Sequence, residues 1–322
     1  MQFQYFSKNG KLLPTSEAVV SVFNIEYAYG FGVYENIRVQ DRHPYFLSDH
    51  VDRLLYSALS VGLNHTLSKG DIARAITELV SAISENGLLS SPLEGEVSRA
   101  RDGGVKAKTA NTYNLKILLI GAKNPADAEL LILPLAPLFP NKKCYTQGAG
   151  ALAVNHVRLF PTAKTLNMLP SYYFYTQAKA KGYYDVLFMD AENNILEGSR
   201  TNFFAIKNKT IYTAPAEKVL EGVTKKYVLQ VAREHGYSIV EQDISLTSIG
   251  EYDGAFLTST SSKIVPLTSI VIPSEVPHSG ADEESLSQSP ITFPTITPTL
   301  KELMKLFDEF LDEYRKQKTT LA

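Results

Sequence analysis

Cysteine is nearly absent from this sequence, since Cys144 is the single one in 322 residues. One thiol cannot close an intramolecular disulfide, and it cannot supply the several thiolates of a cysteine-rich metal site. The six histidines are scattered without the paired spacing of metal ligands. We therefore predict that the protein has no metal site, and we interpret Cys144 as a small buried side chain rather than a nucleophile.

The sequence also lacks an excess of charge and any long apolar run. Lysines and arginines number 32 against 34 aspartates and glutamates, for a net charge of -2 and a pI near 6.3. No basic field of the kind that nucleic-acid-binding proteins use is present, and no run reaches the length of a membrane span. The first residues, MQFQYFSKNGK, lack the features of a signal peptide. We expect a cytoplasmic protein without nucleic-acid or membrane partners.

What is present is typical of a globular protein with mixed helices and strands. Hydrophobic residues make up 44% and charged residues 20%, close to globular averages, and the length suffices for two domains. The dipeptide Asn9–Gly10 predicts a hairpin turn, and aliphatic runs at 113–121 and 129–135 predict strands. The first half is therefore predicted to be an α+β unit.

Amphipathic helices are predicted at several places along the chain. Ser48 is in position to cap a helix whose apolar stripe includes Val51 and Leu59. Thr299 followed by Glu302 forms a capping-box pattern at the start of the last helix. Both helices are expected to pack on a core.

Two polar stretches, 91–111 and 273–290, are rich in glycine, proline and serine and poor in aliphatic residues. Such segments cannot bury enough surface to offset the entropy lost on ordering, so we interpret them as surface insertions. A substrate lid is the functional alternative, because long loops often cover sites. Segment 135–141 holds two prolines between apolar runs and predicts the connection between two domains.

Two residues carry the chemistry of a possible active site. Lys164 lies among apolar and small residues in LFPTAKTLNMLP, and burying an ammonium group without partners is costly. Glu197, in NILEGSRTNFF, precedes a Gly-Ser turn where a carboxylate could face an aromatic nitrogen heterocycle. Pyridoxal phosphate requires an amine that forms an imine with its aldehyde and a carboxylate that keeps its pyridine nitrogen protonated. Either residue alone would more often be a solvated surface residue.

A phosphate group needs a further set of residues. Arg53 lies off the apolar stripe of its predicted helix, where an arginine is usually solvated. The string VLEGVTKKYVL puts Val223 and Thr224 at a helix start, where free N–H groups and the helix dipole attract anions. The hydroxyl-rich turn at 258–262 follows a strand and offers more donors. Because each feature is common alone, the prediction of a phosphate site depends on their combination.

Taken together, these strings resemble the class IV aminotransferases, which are fold-type IV pyridoxal-phosphate enzymes. The resemblance follows the order and approximate spacing of the family. The matching strings are NGKLLP, YAYGFGVYENIRV, HVDRLLYSA, AKTLNMLPS, ILEGSRTNFFAI, VLEGVTKKYV and FLTSTSSKIVPL. Only the two polar stretches and the terminal helix fall outside it.

The resemblance implies a role for each candidate residue. Lys164 resembles the catalytic lysine that holds pyridoxal 5'-phosphate as a Schiff base, and Glu197 resembles the carboxylate that pairs with the pyridine nitrogen. Arg53 resembles the arginine that binds the phosphate. The other cofactor-binding residues that the resemblance implies are Leu220, packed under the ring, and Val223, Thr224, Ser259 and Thr260, which complete the phosphate site.

The resemblance also suggests residues that bind the substrate. Tyr34 matches an active-site aromatic residue of the family, and Arg38 occupies the place of an arginine in the branched-chain members. The strings KTLN and EGSRTN are closer to D-amino acid aminotransferases, whereas ENIRV is closer to the branched-chain enzymes. The arginine-containing motif for the substrate carboxylate is absent after 113–121, where the sequence reads IGAKNPADAE. Arg38 or Lys116 is the candidate replacement.

For the whole chain the resemblance implies an α+β fold of the fold-type IV class. A small N-terminal α/β domain would span residues 1–138, and a larger C-terminal cofactor-binding domain with a pseudo-barrel sheet would span 139–322. The expected activity is transfer of an amino group between an amino acid and a 2-oxo acid by a homodimer, with Lys164 moving the proton. One alternative is an elimination of the aminodeoxychorismate-lyase type that releases pyruvate. A remote alternative is a ligand-binding module without catalysis, against which the pair of Lys164 and Glu197 argues.

Overall fold

A computed structural model describes residues 3–21, 23–85, 112–137, 139–272, 290–293 and 295–320. The predicted insertion at 91–111 lies outside these residues, and so does the insertion at 273–290 apart from Pro290. The chain divides into two compact units. The first unit comprises Met1–Leu138 with Ala163–Leu166, and the second comprises Phe139–Thr162 with Asn167–Ala322.

The first unit contains an antiparallel sheet that has six strands among the described residues. Its strands are β1 (Tyr5–Lys8), β2 (Lys11–Pro14), β3 (Gly32–Gln40), β4 (His43–Pro44), β5 (Thr112–Ile120) and β6 (Glu129–Leu135), in the order β2-β1-β6-β5-β3-β4. Its helices are α1 (Ile25–Ala28), α2 (Leu47–Ser60) and α3 (Lys69–Glu85). The strands predicted from the aliphatic runs are confirmed as β5 and β6.

The predicted hairpin at the start of the chain is confirmed. Asn9 and Gly10 join β1 to β2 with φ angles of 51° and 79°. These are the positive values that a two-residue turn between antiparallel strands requires, and asparagine and glycine tolerate them best. The turn is fixed to the sheet because the Asn9 side chain accepts a hydrogen bond of 2.7 Å from the backbone N–H of Leu130 in β6.

Strand β3 separates the core of the first unit from a more polar face. Side chains alternate along a strand, so Val33, Ile37 and Val39 lie buried in the core together with apolar side chains of α2 and α3. Glu35 has the same parity and is buried with them. Tyr34, Asn36, Arg38 and Gln40 have the opposite parity and are only half-buried. One strand therefore serves both the core and a polar surface.

Two details predicted for α2 are wrong. The helix begins after Phe46, which has a left-handed conformation with φ 54°, so Ser48 lies inside the first turn and does not cap it. Val51 and Leu54 are buried as the stripe predicts, but Leu59 is 79% exposed. Ala58 is the last buried position of the helix, and Leu59 is the next residue. Successive residues of a helix are rotated by about 100°, so Leu59 points away from the buried face.

The second unit consists of a mixed sheet with helices. Its helices are α4 (Lys142–Thr146), α5 (Leu169–Ala180), α6 (Val223–Glu234) and α7 (Pro298–Thr320). Its strands are β7 (Ala149–Asn155), β8 (Asp185–Met189), β9 (Ile195–Gly198), β10 (Asn202–Lys207), β11 (Thr210–Thr213), β12 (Ser238–Glu241), β13 (Gly254–Ser259), β14 (Lys263–Val271) and β15 (Ile291–Thr292). Pairings β14–β7, β7–β8 and β11–β12 are parallel.

The sheet of the second unit closes on itself. Strands follow one another in the order β10-β13-β14-β7-β8-β9, and β9 pairs with β10 to complete the circuit. The closing pair is Glu197 with Asn202. This closed arrangement is the barrel-like sheet that the resemblance implied, and it places the predicted residue Glu197 at the closing pair.

The capping box predicted for the last helix is wrong. The hydroxyl of Thr297, not Thr299, accepts a hydrogen bond from the N–H of Leu300 at 3.2 Å, as an N-cap residue does. Glu302 accepts a hydrogen bond from the Tyr237 hydroxyl instead of reaching back to the helix start. Among the residues that the structure describes, no helix has both the length and the apolar character needed to cross a bilayer.

Candidate active site

In the first unit, Lys164 is held by its own backbone. The N–H of Lys164 donates to the Ser57 hydroxyl of α2 at 3.0 Å, and its carbonyl accepts from the N–H of Tyr34 in β3 at 2.9 Å. The N–H of Leu166 donates to the carbonyl of Gly32 at 2.9 Å. Gly32 has no room for a side chain, because a Cβ there would lie 2.9 Å from the backbone oxygen of Leu119. Segment 163–166 thus runs beside β3 and is hydrogen-bonded to it.

The side chain of Lys164 lies against an aromatic ring. Its Nζ is 4.6 Å from the centroid of Tyr34, within the range of a cation–π interaction. The Nζ of Lys116 is 5.3 Å from the same centroid. The two ammonium groups are therefore at most 9.9 Å apart, which is the sum of these two distances. The solvated surface position that local sequence allowed for Lys164 does not describe this half-buried residue.

Arg53 forms a buried ion pair with Glu35. The Nε and Nη2 atoms of Arg53 lie 2.6 and 2.8 Å from the two carboxylate oxygens, which makes a two-bond fork. His50, one turn earlier on α2, places its Nδ1 2.8 Å from Oε2 of Glu35. The Glu35 side chain is fully buried and that of Arg53 is 11% exposed. Arg53 is therefore not the solvated helix residue that its local sequence suggested.

The electrostatics of this group favour a charged pair beside a neutral histidine. Burial opposes the ionisation of Glu35, but the charges and hydrogen bonds of Arg53 and His50 outweigh it and hold the pKa of Glu35 far below its usual range. Burial lowers the pKa of His50, although Glu35 works in the opposite direction. A neutral His50 keeps the proton on Nδ1, because that nitrogen faces the carboxylate, which is an acceptor.

In the second unit, Glu197 is held by an arginine that the sequence reasoning missed. Nε of Arg158 donates to Oε1 of Glu197 at 2.7 Å, and Nη2 lies 2.5 Å from the same oxygen. Nη2 also donates to the carbonyl of Pro161. The other oxygen of Glu197 accepts from the N–H of Leu220 at 3.3 Å. A signal was available, because Arg158 stands in the same HVRLFPTAK string as Lys164.

A second missed residue, Asp185, holds the turn that follows Glu197. Asp185 is fully buried at the start of β8 and accepts hydrogen bonds from the hydroxyls of Ser199 at 2.5 Å and Thr201 at 2.9 Å. Burial raises the pKa of this carboxyl, and the hydrogen bonds oppose that effect. Gly198 has no room for a side chain, since a Cβ would collide with the Thr201 hydroxyl oxygen. The turn after Glu197 is therefore held by a side chain from β8.

The start of α6 has the features of an anion site. Gly222 is the N-cap residue, and the first turn carries no acidic side chain. Val223 and Thr224, the first two helical residues, are buried, and the N–H groups of a first turn have no partner within the helix. The Asn202 side chain donates to the carbonyl of Leu220 at 2.7 Å, which ties the approach to α6 to strand β10.

The hydroxyl-rich turn connects β13 to β14. The hydroxyls of Ser259 and Ser262 lie 2.6 Å apart, and the N–H of Ser262 donates to the Ser259 hydroxyl at 3.2 Å. Thr260 lies in the turn between them. The hydroxyl of Thr258 at the end of β13 is buried without a hydrogen-bond partner among the described residues. Hydroxyl and N–H donors of this kind suit a phosphate group.

Each unit therefore brings together part of the predicted site. In the first unit Lys164 lies against Tyr34, while Arg53 is paired with Glu35. Arg38 lies on the Tyr34 face of β3 and donates to the Gln40 side chain at 3.3 Å. In the second unit the backbone of Leu220 links Glu197 to the approach of α6.

Comparison with known proteins identifies relatives along most of the chain. A family model described as amino-transferase class IV matches residues 32–270. A putative branched-chain-amino-acid aminotransferase of Methanocaldococcus jannaschii is 29% identical over 269 residues, 81% of this chain and 86% of the relative. A D-alanine aminotransferase of Bacillus licheniformis is 26% identical over 264 residues, 81% of this chain and 87% of the relative.

Solved structures share the fold. A branched-chain aminotransferase of Thermoproteus uzoniensis with norvaline has a TM-score of 0.73 at 22% identity, over 95% of this chain and 94% of that one. A branched-chain amino acid aminotransferase of Escherichia coli has a TM-score of 0.71 at 21% identity, over 95% of this chain and 93% of that one. The fold class predicted from the sequence is confirmed.

Proposed function

Because the chain belongs to the class IV aminotransferases, whose model covers residues 32–270, we propose that Lys164 is the residue that bonds to the cofactor and moves the proton during amino-group transfer. Membership of the family confirms three predictions: an enzyme, pyridoxal 5'-phosphate as its cofactor, and transfer of an amino group. The observation that carries the assignment to Lys164 is its position, fixed through its backbone by Ser57 and Tyr34, with Nζ against the Tyr34 ring.

We propose that Glu197 faces the pyridine nitrogen of the cofactor. When bound, pyridoxal phosphate supplies an electron sink that stabilises negative charge at the α-carbon of the substrate. Glu197 is buried, and Arg158 fixes its orientation through hydrogen bonds to one oxygen. A carboxylate accepts about four hydrogen bonds, so Glu197 retains the capacity to bind a protonated ring nitrogen. Lys164 Nζ then removes the proton from the substrate α-carbon.

We propose that Arg53 binds the phosphate of the cofactor. Glu35 holds the guanidinium by two bonds, which fixes its plane, and a fixed guanidinium suits the paired oxygens of a phosphate. In the second unit, we propose phosphate donors at the start of α6 and in the turn after β13. They are Val223 and Thr224 at the helix start and Ser259 and Thr260 in the turn, with Leu220 under the ring.

For the substrate we propose Tyr34 and Arg38 as binding residues. They lie four positions apart on the same face of β3, the face that also carries Asn36. Substrates would be an amino acid and a 2-oxo acid, and each has a carboxylate that a guanidinium can bind in a fork. The loop after β5, which lacks the family's arginine motif, is occupied by a short turn capped by Asn124.

We also propose that the protein is a homodimer, with a small domain at 1–138 and a cofactor-binding domain at 139–322. Segment 19–31 exposes several large apolar side chains, among them Phe23 and Tyr29. Contiguous exposed apolar surface of this kind marks interaction sites, and a second copy of the chain would cover it. Analytical ultracentrifugation tests this proposal. The cytoplasmic location remains a prediction from the sequence.

The proposed role of Lys164 is tested by chemical labelling and by half-reactions. Borohydride reduction of the cofactor-loaded protein should fix the cofactor to the peptide that carries Lys164, and Lys164→Ala should abolish the labelling. Lys181→Ala is the matched control, since Lys181 is exposed at the end of α5. Label on another lysine would rule out the assignment.

The reaction type is tested with a panel of L- and D-amino acids. A transaminase needs a 2-oxo acid as acceptor for multiple turnovers, and the amino group should appear on that acceptor. Release of more than one equivalent of pyruvate per active site without an acceptor would instead indicate an elimination of the lyase type. The panel also decides which stereoisomer and which side chain the site prefers.

A further inference from the structure

Lys225, the third residue of α6, has an unusual environment for a lysine. Its side chain is 1% exposed, and its Nζ makes no hydrogen bond to any residue that the structure describes. An ammonium group has three N–H donors, and leaving them unsatisfied in a buried place is costly. The first turn of a helix also repels positive charge, because the helix dipole is positive there. Two independent physical effects therefore oppose a cation at this position.

The side chain of Lys225 runs back toward the start of its helix. Nζ lies 3.4 Å from Oε2 of Glu221, the residue before the N-cap Gly222. A Cβ built on Gly222 would lie 3.2 Å from the Lys225 Cβ. A side chain at the third helical position commonly reaches back in this way to the N-cap. The ammonium group is thus located at the helix start, where the N–H groups of the first turn also point.

Glu221 offsets little of the cost of burying Lys225. The Glu221 side chain is 56% exposed, so water competes for its carboxylate, and at 3.4 Å the pair makes no hydrogen bond. Another unsatisfied polar atom belongs to a nearby strand end. The buried hydroxyl of Thr258 is without a partner among the described residues. Thr258 pairs across the sheet with Asn202, whose side-chain oxygen lies so close to Gly222 that a Cβ there would collide with it.

We propose that Lys225 is a cationic ligand of the cofactor phosphate. The inference rests on the proposed function, which places the phosphate at the start of α6. A dianion there would accept hydrogen bonds from the buried Lys225 ammonium group, and its attraction to both the ammonium group and the helix dipole would offset the repulsion between those two. Thr258, as a neutral buried donor near the same place, fits the same ligand.

The competing explanation is that Lys225 exists only to pair with Glu221. Two substitutions separate these roles: Lys225→Met removes the charge with similar volume, and Glu221→Gln removes the partner carboxylate. Lys226→Met is the matched control, since Lys226 is the exposed next residue of the same helix. Each full-length variant is freed of cofactor and titrated separately with pyridoxal 5'-phosphate and with pyridoxal, which lacks the phosphate.

If Lys225 binds the phosphate, Lys225→Met raises the dissociation constant for pyridoxal 5'-phosphate about 10- to 100-fold, the range for a lost hydrogen bond to a charged group. The constant for pyridoxal stays the same. Glu221→Gln leaves the affinity for pyridoxal 5'-phosphate equal or tighter, because it removes a competing anion, and Lys226→Met has no effect.

Two results would overturn the proposal. Lys225→Met could bind pyridoxal 5'-phosphate as tightly as the parent, or it could weaken both ligands equally. If Lys225→Met does not fold, Lys225→Gln is titrated in its place, because it removes the charge but keeps a polar group at the buried position. A failure of the proposal for Lys225 can be told apart from a failure of the proposed function. The proposed function is tested by the borohydride label on Lys164 in the parent protein, which depends on neither variant.

Discussion

Replacing Glu35 by glutamine tests whether a buried carboxylate holds Arg53 in place. Glu35 accepts the two-bond fork of Arg53 and a third bond from Nδ1 of His50, and its side chain is fully buried. Glutamine has nearly the same shape but no charge, and its amide group offers a donor where the guanidinium also offers donors. The variant therefore leaves a buried cation without its counter-ion and a histidine N–H without its full acceptor.

The expected cost is large for a single substitution. Removing one partner of a buried ion pair destabilises a protein by about 3–5 kcal/mol. The control is Asp52→Asn on the same helix, where Asp52 and Lys69 form an ion pair of 2.6 Å with both side chains about half exposed. Exposed pairs of that kind contribute about 0–1 kcal/mol. Both variants remove the carboxylate of an ion pair, but the Glu35 pair is buried and the Asp52 pair is exposed.

The assay is hydrogen exchange of the α2 amides in the cofactor-free protein, because it reports the opening free energy of this helix directly. The stabilisation by Glu35 is expected in full above the unfolded-state pKa of about 4.3, because its folded pKa is depressed. It is lost as the pH falls toward the folded pKa, so the gap between parent and Glu35→Gln should narrow below about pH 4.3. A Glu35→Gln loss no larger than that of Asp52→Asn would refute the argument.

Two further predictions concern the proposed cofactor contacts. Glu197→Gln should retain cofactor binding but lower turnover about 10²- to 10³-fold, which is the usual effect of losing one electrostatic contact at a reaction centre. Near-normal turnover in a steady-state assay would contradict the role proposed for Glu197. Arg53→Lys should raise the dissociation constant for the cofactor, Arg53→Ala should raise it more, and Thr224→Ala should raise it less because it removes a neutral donor. Titration with the cofactor measures the dissociation constant of each of the three variants. Saturating cofactor should restore much of the turnover. An unchanged dissociation constant in Arg53→Ala would contradict the assignment.

Local patterns in the sequence predicted the elements better than their ends. Asn9–Gly10 predicts its hairpin because the required positive φ angles are a property of those two residues alone. Ser48 and Thr299 are typical capping residues, yet the chain enters α2 through a left-handed Phe46 and α7 through Thr297. Which residue caps a helix depends on the path of the chain before it, and side-chain preferences alone do not determine that path.

The prediction of the site residues depends on a different kind of signal. Lys164 and Glu197 are predicted as a chemical pair and by the resemblance of their strings, not by any rule of folding. Their supports were missed: Arg158 and Asp185 act through contacts with residues distant in the sequence, and Glu35 lies 18 positions before Arg53. Helical spacing shows the face on which a side chain lies, but it does not show which strand supplies the partner.

The supports matter because they give each charge of the proposed site a counter-ion of its own. Arg53 has Glu35 as its counter-ion within the first unit, and Glu197 has Arg158 within the second. A guanidinium and a carboxylate fixed in this way lose little further side-chain freedom when they bind a ligand. The smaller loss of conformational entropy raises the affinity for the ligand. Lys225 differs from both, since its ion-pair partner among the described residues, Glu221, is exposed. In the proposed site, Arg53 and Glu197 are therefore held in place beforehand, whereas the buried Lys225 ammonium group would gain hydrogen-bond acceptors only when an anion binds.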